Sequence, residues 1–267
     1  MLGLNMKHGL KGCVGGLLLL LLVSGCSTVP ITGRKALNVF HPREEIQLGL
    51  QNFESMKKDI PISDNKEARA LVERVGNRIA EVSNLEGAQW EFVVFESNQA
   101  NAFALPGGKI GVYTGILPIT QNEAGLATVL GHEVAHATAR HGGERMTKAM
   151  GLQSLGSLLN VVVAEHSPKH QQMAATAYGI GAQLGVALPH DRLQESEADE
   201  MGLIYMARAG YDPEAAVGFW ERFAEYGKQQ GDTTPWFLRT HPVTEDRIAN
   251  LKKNMARAKA EFVPYRR

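Results

Sequence analysis

The segment from Thr120 to Arg140 reads TQNEAGLATVLGHEVAHATAR, and it decides the fold. Thr120-Gln121-Asn122-Glu123 fits a capping box, in which a hydroxyl and a carboxylate accept the orphan N–H groups of a helix start, so a long helix is expected to open at Thr120. His132, Glu133 and His136 stand inside that helix. Residues four apart share one helical face, so both imidazoles can reach one metal ion. Glu133, one position after His132, reaches a water beside the ion rather than the ion itself.

Two imidazoles and an adjacent carboxylate are the working parts of the H-E-x-x-H peptidase motif. Zinc polarises a scissile carbonyl and lowers the pKa of a water toward about 7. Glu133 can take that water's proton and later pass it to the leaving amine. Two histidines and a water leave one place to fill in a tetrahedral catalytic site. His141 follows without the glycine that a third histidine ligand on the same segment requires, and it reads as structural. Farther along, Glu195-Ser196-Glu197-Ala198-Asp199 offers carboxylates. Glu195 and Asp199 share a helical face, so one can bind zinc while the other accepts the second N–H of a liganding histidine. Glu197 points elsewhere and reads as solvated or paired with a cation. Spacing alone does not rank Glu195 above Glu197.

HEVAH followed at this distance by ESEAD resembles the HtpX, BepA and CAAX-prenyl-protease family of gluzincins, metallopeptidase family 48. The resemblance implies one zinc ion per chain, with His132, His136 and Glu195 as ligands, Glu133 as acid and base, and Asp199 as support. Asn101 to Gly108 (NAFALPGG) is similar to the strand that precedes the active-site helix in that family, which implies substrate binding at Asn101, Ala102 and Phe103 by strand addition. Thr240-His241-Pro242 and Arg247-Ile248 resemble the family's His-Pro…Arg-Ile element. By that likeness His241 lies beside the metal, as a catalytic group or as a reversible fourth ligand, and Arg247 orients it or binds substrate. The HtpX type has several membrane spans and the BepA type adds a tetratricopeptide module; neither pattern is evident here.

Around this centre the chain is expected to be α+β and mainly α, a zincin-like domain with a small sheet next to the active-site helix. Helices are expected over 43–58, 66–84 and from Asp191 to about Arg208, the last stopped by Gly210. Asp212-Pro213 and Thr244 open two more. Trp90 to Phe95 and Phe103 to Val112 supply strands, the second broken at Pro106-Gly107-Gly108. The apolar 150–188 region reads as helices packed through Gly and Ala, with a lid or membrane contact as the other option. His166, His170 and His190 match nothing and read as surface residues.

The 28 basic and 28 acidic side chains give zero net charge without a Lys/Arg block, which excludes a nucleic-acid footprint. Two cysteines among 267 residues exclude a disulfide scaffold and a four-thiolate metal site. Residues 1–25 read as a lipoprotein signal peptide, with Lys7 and Lys11 ahead of an apolar run from Val14 to Val23. That run is shorter than the roughly 20 residues of a membrane span. Val23-Ser24-Gly25-Cys26 resembles a lipobox with Cys26 as the lipidated residue. Residues 26–42 then form a lipidated tether and 43–267 a single peptidase domain. Ser27 after the cysteine favours the outer membrane, facing the periplasm. These expectations combine into a bacterial-envelope zinc endopeptidase acting on unfolded or misassembled polypeptides. The alternative is an outer-membrane assembly factor or holdase with a latent, His-capped metal site.

Overall fold

Residues 26–163, 192–231 and 235–264 are described by a computed structural model of the chain. The signal-peptide reading of 1–25, most of the 150–188 region, the Asp191 cap, and His166, His170 and His190 lie outside the described residues. Strands β1 (Cys26–Thr28) and β2 (Lys35–Leu37) form an antiparallel hairpin with Cys26 opposite Leu37. The segment read as a tether thus packs on the domain, with Val29 and Ala36 buried in its main core. Helices α1 (Pro42–Asp59) and α2 (Lys66–Ser83) follow, close to their expected bounds.

The sheet takes the order β3 (Glu91–Phe95), β5 (Lys109–Tyr113), β4 (Ala102–Leu105), with β3 parallel and β4 antiparallel to β5. Its outermost strand β4 borders the central helix α4 (Glu123–Thr138). One side of the sheet carries a second, aromatic cluster of Phe53, Phe95 and Tyr113, with Phe103 against it. After α4 come α5 (His141–Val163), α6 (Arg192–Arg208), α7 (Ala215–Gln229), the short α8 (Trp236–Thr240) and α9 (Glu245–Ala260). The fold is α+β and mainly helical. No helix among the described residues is long and apolar enough to cross a membrane.

Two helix starts differ from expectation. Thr120 does not cap α4: it ends α3 (Leu117–Thr120), where its hydroxyl already donates to the Leu117 carbonyl at 2.8 Å. Gln121 breaks the path with φ +64°, and Asn122 becomes the cap, its Oδ1 accepting from the Gly125 N–H at 2.9 Å. At Asp212-Pro213 the carboxylate accepts from the N–H of Glu214 at 2.9 Å, closing an Asx-turn that delays α7 to Ala215. The other signals act as expected. Thr244 caps α9, accepting from the Arg247 N–H. Gly210, at φ +78°, closes a Schellman motif on α6, with Tyr211 N–H on Met206 O and Gly210 N–H on Ala207 O.

Helix α4 is surrounded by α2, α6, α7 and β4, and it is apolar nearly all round as such a helix must be. Its approach to α6 depends on a pair of glycines. A Cβ on Gly202 would lie 3.1 Å from the Gly131 carbonyl carbon and 3.1 Å from the His132 nitrogen. Both are backbone atoms and cannot swing aside. Gly202→Val is therefore expected to force the helices apart and lower stability by about 1–3 kcal/mol. Urea denaturation should report this as a lower midpoint at unchanged slope.

Candidate metal centre

Because α4 places His132 and His136 one turn apart, their Nε2 atoms come within 3.1 Å. On α6, Glu195 faces them, its carboxylate 3.3 Å from His132 Nε2 and 3.2 Å from His136 Nε2. His241, just past α8, puts Nδ1 3.2 Å from His132 Nε2 and 3.0 Å from both Glu195 oxygens. One donor atom from each of these four buried residues lies within 4.8 Å of all the others. Lone pairs gathered this closely repel one another unless a proton or a cation stands between them. Imidazole nitrogens with one carboxylate are the donor set zinc takes in catalytic sites, so the residues fit such an ion.

Glu133 sits at the rim of this cluster, buried, with Oε1 3.5 Å from His241 Nε2 and without a hydrogen-bond partner. Burial raises its pKa above the ordinary carboxylate value, against the charges of His241 and His132. The Ala104 N–H, on β4, also favours its charged form. A buried carboxylate with an unengaged oxygen and raised proton affinity is equipped to accept a proton.

A second layer fixes the first. Asp199, one turn beyond Glu195, has Oδ1 2.9 Å from His132 Nδ1. Arg247, in the first turn of α9, donates to both Asp199 oxygens at 2.5 and 2.8 Å and lies 3.1 Å from Glu195. Its guanidinium stands over the Trp220 ring, 3.8 Å from the centroid. Burial opposes charge on Asp199, yet Arg247 holds its carboxyl below the usual range. Burial likewise opposes charge on His132, but the Glu195 carboxylate and the bonds to Asp199 and Glu195 prevail and lift it to about 9.

Two residues play parts that sequence reasoning did not assign. Arg140, at φ +56°, breaks the helical path, so His141 opens α5 and turns back on the site. Its Nδ1 lies 2.7 Å from Nδ1 of His136 and its Nε2 lies 3.0 Å from Glu197 Oε2. Glu197 does face away from Glu195 and Asp199 and does meet a cation, Arg34, but it is buried rather than solvated. Burial opposes its charge, while His141, Arg34 and Thr32 hold its pKa down to about 2. Helical periodicity alone carries no signal for this, since the partners come from a hairpin far away in the chain.

The strand residues sit beside the cluster. Asn101 and Ala102 are buried, and Phe103 is half-buried among Phe53, Phe95 and Tyr113. Asn101 O accepts from the Tyr113 N–H, so by antiparallel alternation the main chains of Ala102 and Ala104 face away from β5. Cys26 is exposed at the open end of the hairpin.

The sequence model described as Peptidase family M48 matches residues 66–255. The mitochondrial metalloendopeptidase OMA1 of Saccharomyces cerevisiae is 38% identical over 181 residues, 66% of this chain and 50% of that protein. OMA1 of Arabidopsis thaliana is 40% identical over 163 residues, covering 61% of this chain and 31% of that protein. The beta-barrel assembly-enhancing protease of Escherichia coli is 26% identical over 228 residues, 84% of this chain and 46% of that protein. The chain spans about half the length, or less, of these curated relatives.

Asp199→Asn removes the charge that both His132 and Arg247 use, so zinc affinity is expected to fall about 10- to 100-fold. His136→Ala, which deletes a donor, should fall further. Chelator competition on the purified protein measures both.

Proposed function

The chain belongs to peptidase family M48, and from that premise we propose that it is a zinc-dependent metalloendopeptidase of the bacterial cell envelope that cuts unfolded or misassembled proteins. The observation that carries this reading is the junction of the four-donor cluster with the unengaged Glu133 oxygen. His132, His136 and Glu195 would hold the zinc ion, one per chain. When bound, the ion supplies a Lewis acid that polarises the scissile carbonyl and acidifies the attacking water. Glu133 takes the water's proton at Oε1 and returns it to the departing amine. Asp199 fixes the His132 ring and is itself fixed by Arg247. The outward-facing main chains of Ala102 and Ala104, on the outermost strand, align extended substrate by strand addition, next to Glu133. His241, near Glu133 Oε1, can orient that carboxylate or donate to the carbonyl oxygen as charge develops on it.

The envelope assignment is supported by the lipobox-like Val23-Ser24-Gly25-Cys26 and by the exposure of Cys26 at the hairpin's open end. The likeness to a beta-barrel assembly-enhancing protease supports clients among assembling beta-barrel proteins. The OMA1 relatives, named as mitochondrial, support the endopeptidase activity independently of compartment.

A second reading draws on one observation, the inclusion of His241 Nδ1 in the donor cluster. As a fourth ligand it would close the site and leave an assembly factor or holdase with latent chemistry.

Glu133→Gln is expected to retain zinc and to slow cleavage of an unfolded protein by about 10²- to 10⁴-fold. Undiminished cleavage would overturn the mechanism. His241→Ala is expected to slow cleavage as well, whereas a gain of activity over wild type would favour the capped, latent site.

A further inference from the structure

We propose that the hairpin β1–β2 positions the metal ligand His136, acting through Glu197 and His141; the inference rests on the metal-site reading above. A continuous chain of contacts joins them. In the loop between the strands, the Thr32 hydroxyl donates to Glu197 Oε1 at 2.5 Å and Arg34 Nε donates to Oε2 at 2.8 Å. Arg34 Nη2 also bonds Glu144 Oε2 at 2.9 Å, which fixes the guanidinium against α5. Glu197 Oε2 meets His141 Nε2 at 3.0 Å, and His141 Nδ1 meets His136 Nδ1 at 2.7 Å. His141 is 0% exposed and Glu197 5%, so solvent cannot easily replace either partner.

Proton placement in this chain is forced. For His136 to turn an Nε2 lone pair into the donor cluster, its proton must sit on Nδ1. That N–H donates to Nδ1 of His141, which therefore carries its own proton on Nε2 and donates it to the Glu197 carboxylate. The reverse arrangement would put the His136 proton inside the cluster and set the His141 Nε2 lone pair against a carboxylate. Glu197 thus selects the one tautomer of both rings that leaves His136 able to bind a metal. Thr32 and Arg34 in turn hold Glu197 in place. The two histidine ligands then have separate supports: His132 takes Asp199 and the C-terminal Arg247, and His136 takes the N-terminal hairpin.

The test uses the full chain, with zinc affinity read by chelator competition and folding by circular dichroism. Glu197→Gln and Arg34→Met are expected to weaken zinc binding about 10- to 100-fold, with Arg34→Lys recovering part of the loss because it can still donate to Glu197. A purely structural role would not move the second readout. In histidine-labelled, zinc-free protein, ¹⁵N resonances should place the His141 proton on Nε2 in wild type, and Glu197→Gln should lose that single-tautomer signature. If Glu197→Gln does not fold, Thr32→Val removes one donor from the carboxylate at a half-buried site and carries the same expectation at smaller size. Unchanged affinity in these variants, or an unchanged His141 tautomer, would overturn the inference while leaving the metal site standing. A wild-type protein that takes up no zinc would instead overturn the metal-site reading, and this inference with it.

Discussion

Three imidazoles, two carboxylates and a guanidinium are buried in one connected set of polar contacts, and the rest of the structure is arranged around their need for charge balance. A buried charge without a partner costs several kcal/mol, so no member of this set can be removed from its neighbours cheaply. Arg247 answers Asp199 and Glu195, Asp199 answers His132, and the Trp220 ring covers a face of the guanidinium, whose donors all lie in its plane. The charged groups come from α4, α6 and α9 and the Trp220 ring from α7, so together they act as a pin through four helices. The apolar core around α4 excludes water, and that exclusion gives each of these contacts its strength.

Much of this was readable in the sequence because the deciding residues are locally periodic. His132 with His136, and Glu195 with Asp199, announce themselves at i and i+4, and the caps at Thr244 and Gly210 are fixed by chemistry within a few residues. His241 and Arg247 have no periodic signal of their own and were reached through family likeness. Reading failed where a choice between neighbours depended on three-dimensional competition. Thr120 and Asn122 are both good caps, and the outcome turned on a hydroxyl already engaged by Leu117. For Glu197 a solvated position or a cation partner is expected, and the partner is there, but its burial is not legible because nothing local shows that Thr32 and Arg34 return to cover it. His141 reads as structural, but its contact with His136 is not legible, because the left-handed backbone at Arg140 ends one helix and aims the next.

The stretch matched by the family begins at residue 66, whereas the hairpin that holds Glu197 lies ahead of it. The centre is thus completed by residues outside the stretch that the family model matches. A segment with three-residue strands has little stability alone. Here it gains order by inserting Val29 and Ala36 into the core and by ion pairing to α5 and α6.

The contact between Gly131 and Gly202 bears on how such a chain can be engineered or can drift. Glycine within a helix is weaker than alanine by about 1 kcal/mol, which makes helical glycines the customary first targets for raising heat resistance. At these two positions that route is closed, because each missing side chain is the clearance through which one helix backbone meets the other. Thermal robustness in this molecule has to be sought on the surface, while the interior keeps two of its weakest helix formers as spacers that set the distance across the four-donor cluster.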